Sequence, residues 1–206
     1  MSISSSLSDT FKSLLSQDQA PRPSGMLKVG DKFPPFKVKA VPPGEARDMN
    51  PKDALIEISH NSYPEAWLVA FSVPKAFTFI CPTEIFEFSK LNSEFKDRGA
   101  QVLCFSTDNE FALLAWRKHH KDLNNINFPL LADVKREIST QCGILDKNEG
   151  VAQRATFIVD PEGIIRFVMV TDLGVGRNTR EVLRILDALQ TGELCPCNWQ
   201  KGEETL

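Results

Sequence analysis

The chain has 206 residues, of which 42% are hydrophobic and 25% charged, a composition typical of a globular domain. A net charge of −3 and the lack of any lysine or arginine run exclude the basic surface that nucleic acids and anionic membranes require. No apolar stretch approaches the roughly 18 residues that span a bilayer, and the N-terminus lacks the apolar core of a secretion signal. We therefore expect a cytoplasmic protein with neither a nucleic-acid nor a membrane partner.

Residues 1–28 form a serine-rich extension that ends in a proline- and glycine-containing stretch. Four apolar residues have helical spacing, Leu7, Phe11, Leu14 and Leu15. We predict a short amphipathic helix followed by a linker. A mitochondrial targeting peptide is the alternative, but the acidic Asp9 and Asp18 offset the basic residues that such a peptide needs.

From residue 54 onwards, apolar runs of strand length alternate with segments of helical period, as in a sheet built from βαβ units. The predicted strands are Leu55–Ser59, Trp67–Ser72, Gln101–Ser106 and Phe128–Ala132. The predicted helices are Thr83–Arg98, Asn109–His119 and Val134–Gln141.

The pattern then changes to a hairpin and a last helix. Arg154–Asp160 and Ile164–Val170 are β-branched and aromatic runs joined by a turn that contains proline and glycine, which predicts paired strands. Apolar residues at helical spacing predict a helix over Thr179–Gln190, with Gly192 just past its end. This order of elements resembles the thioredoxin-like α/β fold, with a mixed central sheet flanked by helices.

Among five cysteines, Cys81 has the most informative position, because it lies between a predicted strand and a helix predicted to begin at Pro82. Free N–H groups and the positive end of the helix dipole stabilise a thiolate there. Fast reaction also needs donors that align the bond under attack, and Thr78 is a candidate together with a guanidinium from elsewhere. The alternative is that Cys81 is a small buried apolar residue, as most free cysteines are.

The spacing Pro74-x-x-x-Thr78-x-x-Cys81 resembles the active-site signature of peroxiredoxins, and Phe77–Glu84 is similar to the typical two-cysteine subgroup, the AhpC/TSA family. The resemblance continues through Val29–Lys32, Arg154–Asp160, Gly176–Asn178, Glu193–Pro196 and Asn198–Gly202. It implies a thioredoxin-like peroxiredoxin domain over residues 29–190 and a C-terminal arm over residues 191–206.

The resemblance also implies an activity, the reduction of hydrogen peroxide and organic hydroperoxides without metal, haem or flavin. Cys81 is then the nucleophile that becomes a sulfenic acid, and Pro74, Thr78 and Arg154 complete the catalytic set. Glu84 matches a family glutamate suited to holding an arginine. It is also a favourable acid in the first turn of a helix.

The position three residues after Cys81 is Glu84, so the chain has no local Cys-x-x-Cys pair. The resemblance implies that Cys195 on the partner subunit's arm resolves the sulfenic acid, within a homodimer that some relatives assemble into rings. A thioredoxin, a dedicated reductase or another dithiol protein would reopen the disulfide.

The chain departs from the family at Cys197, where an alanine is usual. Two hypotheses stay open: Cys197 substitutes for Cys195 or relays the disulfide, or it is an extra surface thiol. A structural zinc site is a weaker alternative because it needs four ligands. The chain also lacks the family's glycine-rich insertion and C-terminal Tyr-Phe helix, from which we predict resistance to overoxidation, to be tested by peroxide titration.

The remaining thiols and histidines are assigned structural roles. Cys104 lies inside a predicted strand and Cys142 at the end of a short helix, so both are expected to be buried and inert. His119 and His120 close a helix, where a cation is favourable, and their spacing from Cys81 does not establish a Cys/His hydrolase. The competing functions are an oligomeric holdase chaperone and a non-catalytic thioredoxin-fold adaptor.

Overall fold

The structure is a computed structural model that describes residues 25–206. Its strands are β1 Lys37–Val41, β2 Gly44–Glu45, β3 Ile56–Ser59, β4 Trp67–Ser72, β5 Ala100–Ser106, β6 Asn125–Ile126, β7 Leu130–Ala132, β8 Leu145–Asp146, β9 Val151–Ala152, β10 Arg154–Val159 and β11 Ile165–Thr171. Its helices are α1 Pro51–Ala54, α2 Ile80–Lys90, α3 Asn92–Asp97, α4 Glu110–His119, α5 Glu137–Gln141 and α6 Thr179–Thr191. The helix predicted around Leu7–Leu15 lies outside the described residues.

Seven strands form one mixed sheet in the order β11-β10-β4-β5-β7-β1-β3. β5 pairs in parallel with β4 and β7, whereas the hairpin of β10 and β11 and the pair of β1 and β3 add antiparallel strands on the two sides. The predicted hairpin is therefore present and pairs with β4. β1 was not predicted, because its five residues include two lysines and only a weak apolar alternation.

Both faces of the sheet are covered, since neighbouring residues of a strand point to opposite sides. Val69 and Phe71 of β4 pack in a core with the apolar residues of α2, α3, α4 and α6. Leu68 and Ala70 pack in a second core with α5 and the segment after residue 26. Cys81, at the start of α2, belongs to the first of these cores.

The long helix predicted over Thr83–Arg98 is two helices, which is a correction. α2 begins at Ile80, two residues before Pro82, where the helix start was predicted. Pro82 interrupts no hydrogen bond there, because the first N–H groups of a helix have no acceptor within it. The break falls at Leu91. It allows the buried Asn92 to donate from Nδ2 to the Asn127 carbonyl at 2.9 Å.

The C-terminal residues fold back along α6. This helix ends at Gly192, whose φ of 70° is in the left-handed region that glycine adopts readily. Trp199 is only 3% exposed, and its carbonyl accepts from Nη1 of Arg184 at 3.0 Å. None of the helices over residues 25–206 has the length and apolar composition needed to cross a bilayer.

Candidate active site

Cys81 is the second residue of α2, at the helix end from which the first N–H groups point without intrahelical acceptors. The residue is 1% exposed and belongs to the core formed by β4, β5 and the helices. Its sulfur therefore has little water around it. In such a place the polar groups in contact with the sulfur decide whether a negative charge is tolerated.

The Thr78 hydroxyl is one of these groups. Its Oγ1 lies 3.0 Å from Sγ of Cys81 and 2.9 Å from the Lys75 carbonyl oxygen. A hydroxyl carries one proton and two lone pairs, so this group can donate to a thiolate and can also accept from an incoming hydroperoxide. Phe77, just before it, has a φ of 57°, which is a strained conformation for a residue other than glycine.

The Arg154 guanidinium is the second group. Arg154 is the first residue of β10, and its Nη1 lies 3.4 Å from Sγ of Cys81. The same nitrogen donates to Oε2 of Glu84 at 2.7 Å, and Nε donates to the Leu173 carbonyl at 2.8 Å. The guanidinium is thus fixed on two sides, and a positive charge faces the sulfur.

Glu84 lies one turn after Cys81 and holds two arginines rather than one. Arg177 donates to Oε1 from Nε and to Oε2 from Nη2, both at 2.8 Å, and its backbone N–H adds a bond of 3.0 Å. Glu84 is 3% exposed and the Arg177 side chain is fully buried. Of the two sequence hypotheses for this residue, the contacts favour the one in which Glu84 holds Arg154.

Arg177 was not assigned a role from the sequence. Its guanidinium also donates to the carbonyls of Ser72 and Ala155 and lies 5.1 Å from the ring centre of Phe71. It joins the ends of β4 and β10 to α2. The only sequence signal was its place in the Gly176–Asn178 stretch shared with peroxiredoxins.

The charged side chains of this buried cluster carry a net positive charge. Arg154 and Arg177 contribute two positive charges and Glu84 one negative charge, which leaves one positive charge uncompensated in a largely buried site. A Cys81 thiolate would neutralise it, whereas a neutral thiol would leave it unpaired. Negative charge on the Cys81 sulfur would therefore have a positive partner in contact with it.

The other predicted site residues are distributed as follows. Pro74 is buried in the loop between β4 and α2. The five cysteines are all free thiols, and Cys195 and Cys197 lie on the arm rather than at Cys81. The Cys195 sulfur is 3.5 Å from Oγ1 of Thr191, beside the end of α6, and Cys197 is exposed. A single chain therefore does not bring the two predicted redox partners together.

The remaining thiols differ from Cys81 in their surroundings. Burial raises the pKa of Cys104 well above its ordinary value, and burial also raises the pKa of Cys142. Both thiols stay protonated at neutral pH. His119, at the end of α4, is tied through Nδ1 to the Ala115 carbonyl at 2.8 Å, which is a contact of a helix terminus.

Comparison with known proteins gives a consistent result. The AhpC/TSA family matches residues 29–168, and the C-terminal domain of 1-Cys peroxiredoxin matches residues 188–206. Alkyl hydroperoxide reductase C of Mycobacterium tuberculosis is 50% identical over 184 residues, which cover 88% of this chain and 94% of that protein. Peroxiredoxin TSA1 of Saccharomyces cerevisiae is 42% identical over 186 residues, covering 87% of this chain and 90% of the relative.

Solved structures agree. Mycobacterium tuberculosis AhpC, 49% identical, superposes with a TM-score of 0.79 and covers 85% of this chain and 99% of its own. The reduced 2-Cys peroxiredoxin of Plasmodium vivax, 32% identical, gives a TM-score of 0.78 with coverages of 87% and 92%. The prediction of a thioredoxin-like α/β fold is thereby confirmed. The chain belongs to the AhpC/TSA family and is a peroxiredoxin.

Proposed function

We propose that this peroxiredoxin reduces hydrogen peroxide and organic hydroperoxides with Cys81 as its nucleophile. The observation that carries the proposal is the pair of contacts at one buried sulfur, the Thr78 hydroxyl at 3.0 Å and the Arg154 guanidinium at 3.4 Å. Two fixed donors at an ionisable sulfur are what cleavage of an oxygen–oxygen bond requires. Cys104 and Cys142, in contrast, are buried without such donors.

In the first step, the Cys81 thiolate attacks the terminal oxygen of a hydroperoxide. A sulfur–oxygen bond forms while the oxygen–oxygen bond breaks, and the leaving oxygen takes a proton to become water or an alcohol. The sulfur is oxidised by two electrons to a sulfenic acid, and the peroxide is reduced by two. Arg154 and Thr78 orient the two oxygens and stabilise the charge that moves onto the leaving one. The buried Pro74 helps to exclude water from the sulfur.

In the second step, Cys195 of a partner subunit attacks the sulfenic acid. A disulfide forms, and the sulfenic oxygen leaves as water. Within one chain, the Cys195 sulfur lies beside Thr191 at the end of α6 rather than at Cys81. A sulfur that reaches Cys81 therefore has to come from another copy of the chain or from a displaced arm, which supports this assignment. β11 offers a place for that copy, since it is an edge strand of the described sheet.

In the third step, a dithiol protein reduces the disulfide and returns both thiols. The proposed electron donor is a thioredoxin or a dedicated reductase, and the proposed enzyme form is a homodimer. Assembly of these dimers into a ring is a further hypothesis. Cys197, exposed two residues from Cys195, stays a hypothesis as a relay thiol. Mass mapping of the oxidised Cys195→Ser protein tests it, and finding no Cys81–Cys197 disulfide would reject it.

Peroxide consumption by the full chain, with dithiothreitol as reductant, tests the function. Cys81→Ser abolishes turnover, and the matched variant Cys104→Ser, at another buried thiol, retains it. Cys195→Ser completes one turnover and loses the dimeric band on a non-reducing gel. An active Cys81→Ser protein would refute the proposal. A wild-type chain that binds unfolding clients but does not consume peroxide would favour the holdase, and an inert Cys81 without client binding would favour the adaptor.

A further inference from the structure

The loop between β4 and α2 is anchored at two points to the end of β5. The backbone N–H of Val73 donates to the Phe105 carbonyl at 3.0 Å. Three residues later, the N–H of Ala76 donates to Oδ2 of Asp108 at 2.8 Å. Asp108 lies two residues after β5, so both anchors belong to the same rigid strand end.

Asp108 is itself held in one orientation. Its Oδ2 accepts from Oγ of Ser106 at 2.6 Å, and that hydroxyl accepts in turn from the Asp108 backbone N–H at 3.2 Å. Ser106 is the last residue of β5 and is 1% exposed. The carboxylate therefore has a fixed position at the edge of the core, and it provides the Ala76 N–H with a charged acceptor.

The N–H of Ala76 and the carbonyl of Lys75 belong to one planar peptide unit. The Lys75 carbonyl oxygen lies 2.9 Å from the Thr78 hydroxyl and accepts its single proton when that proton does not point to the Cys81 sulfur. Fixing the N–H end of this plane also fixes the carbonyl end. A hydrogen bond to a carboxylate at one end strengthens the acceptor at the other. A short chain of contacts thus leads from Asp108 through one peptide unit to Thr78 and Cys81.

This loop needs such an anchor. Phe77 follows the Lys75–Ala76 peptide and has a strained φ of 57°. Because its side chain is exposed, packing of that side chain does little to stabilise this conformation. Thr78 follows directly. A rotation of the peptide plane at Ala76 would move both the Lys75 carbonyl and the Thr78 hydroxyl relative to the sulfur.

We propose that Asp108 is a positioning residue for peroxide reduction, which sets the orientation of the Thr78 hydroxyl through the Lys75–Ala76 peptide. The inference rests on the proposed function of Cys81. The hydrogen-bond partners of Asp108 are Ala76 and Ser106, not the Cys81 sulfur. Substitution of Asp108 should therefore slow the reaction of Cys81 with peroxide, which uses the aligned Thr78 hydroxyl. It should not slow reactions of the thiolate that do not need this alignment.

Two rates measured on the full chain separate these steps. Stopped-flow mixing with hydrogen peroxide gives the second-order rate constant for Cys81 oxidation. Alkylation by iodoacetamide gives the reactivity of the thiolate toward an electrophile that has no oxygen–oxygen bond for Thr78 to align. For Asp108→Ala we expect the peroxide rate constant to fall roughly ten- to hundredfold, with the alkylation rate within about twofold of wild type.

Variants of graded severity keep the test sharp. Asp108→Asn retains an oxygen acceptor of the same shape, so its peroxide rate constant stays within about threefold of wild type. Ser106→Ala leaves the carboxylate but frees its orientation, and it gives a smaller loss in the same selective sense. Asp97→Ala, at an exposed aspartate of α3, is the matched control and changes neither rate.

The contrary outcomes are equally specific. An Asp108→Ala protein with the wild-type peroxide rate would overturn the inference, and so would a proportional loss of both rates, which indicates a general loosening of the site. An Asp108→Asn protein as slow as Asp108→Ala would also overturn it, since the retained side-chain oxygen would then not hold the Ala76 N–H. A wild-type chain that does not react with peroxide would instead refute the proposed function.

Discussion

Replacement of Arg154 by methionine removes the positive charge at Cys81 while keeping most of the side-chain volume. Nη1 of Arg154 is 3.4 Å from the sulfur, and two unit charges at that distance attract by about 5 kcal/mol at an effective dielectric constant of about 20. Desolvation of both groups offsets much of this attraction. Hydrogen bonds to charged groups contribute about 1.5–3 kcal/mol net, which corresponds to a factor of roughly 10 to 150.

The variant should still fold, because Arg177 keeps its bonds to both carboxylate oxygens of Glu84. What changes is the charge balance: the remaining pair is neutral, so a Cys81 thiolate would be a buried, uncompensated charge. We therefore expect Arg154→Met to lower the second-order rate constant with hydrogen peroxide by on the order of 100-fold.

The assay is stopped-flow oxidation of the reduced full chain by hydrogen peroxide. Arg166→Met is the matched control, since Arg166 lies on the neighbouring β11, is 47% exposed and pairs with Asp160. The control should react within about twofold of wild type, as a surface substitution remote from the sulfur. A folded Arg154→Met protein that reacts within about threefold of wild type would refute the electrostatic role assigned to this guanidinium.

Two further predictions concern stability. Glu84→Gln removes the negative charge shared by two buried arginines and should lower the free energy of unfolding by about 3–5 kcal/mol in urea titration. The control Glu87→Gln, at a side chain that is 47% exposed, should change it by less than about 0.5 kcal/mol. An unchanged midpoint of urea unfolding for Glu84→Gln would contradict the stabilising role of the buried network. Burial would raise the pKa of Asp187, but hydrogen bonds from Arg98 and Lys201 outweigh it and hold that pKa below its ordinary value. Its contribution is therefore present above about pH 4 and lost as the pH falls through the folded-state value, so the stability gap between wild type and Asp187→Asn should narrow in acid. A gap that stays constant would contradict this linkage.

The sequence predicted those parts of the fold that local patterns encode. The hairpin of β10 and β11 followed from its turn residues, and α6 followed from apolar spacing and Gly192. The break at Leu91 was missed because it depends on the contact of Asn92 with Asn127, 35 residues away, and no local pattern reports it. β1 was missed because its place in the sheet depends on pairing with β3 and β7 rather than on its own five residues.

In the candidate active site too, contacts between residues close in sequence could be predicted from spacing, and contacts between distant residues could not. Thr78 and Cys81 are three residues apart, so their proximity at the start of a helix could be predicted from spacing. Arg154 is 73 residues from Cys81 and was predicted through resemblance alone. Arg177 contacts Glu84 across 93 residues, and Asp108 contacts Ala76 across 32, so the roles of both needed the structure. The pairing of Cys81 with Cys195 needs a second subunit and stays a prediction.

The most direct measurement is the mass of the reduced Cys195→Ser chain after one equivalent of hydrogen peroxide, followed on the millisecond scale and mapped to individual cysteines. The account predicts addition of one oxygen at Cys81 alone, on the order of 10³-fold faster than at an unassisted cysteine thiolate. Oxygen distributed among the four remaining cysteines, or first added at Cys104, Cys142 or Cys197, would contradict the claim that the contacts of Thr78 and Arg154 make Cys81 the site of peroxide reduction.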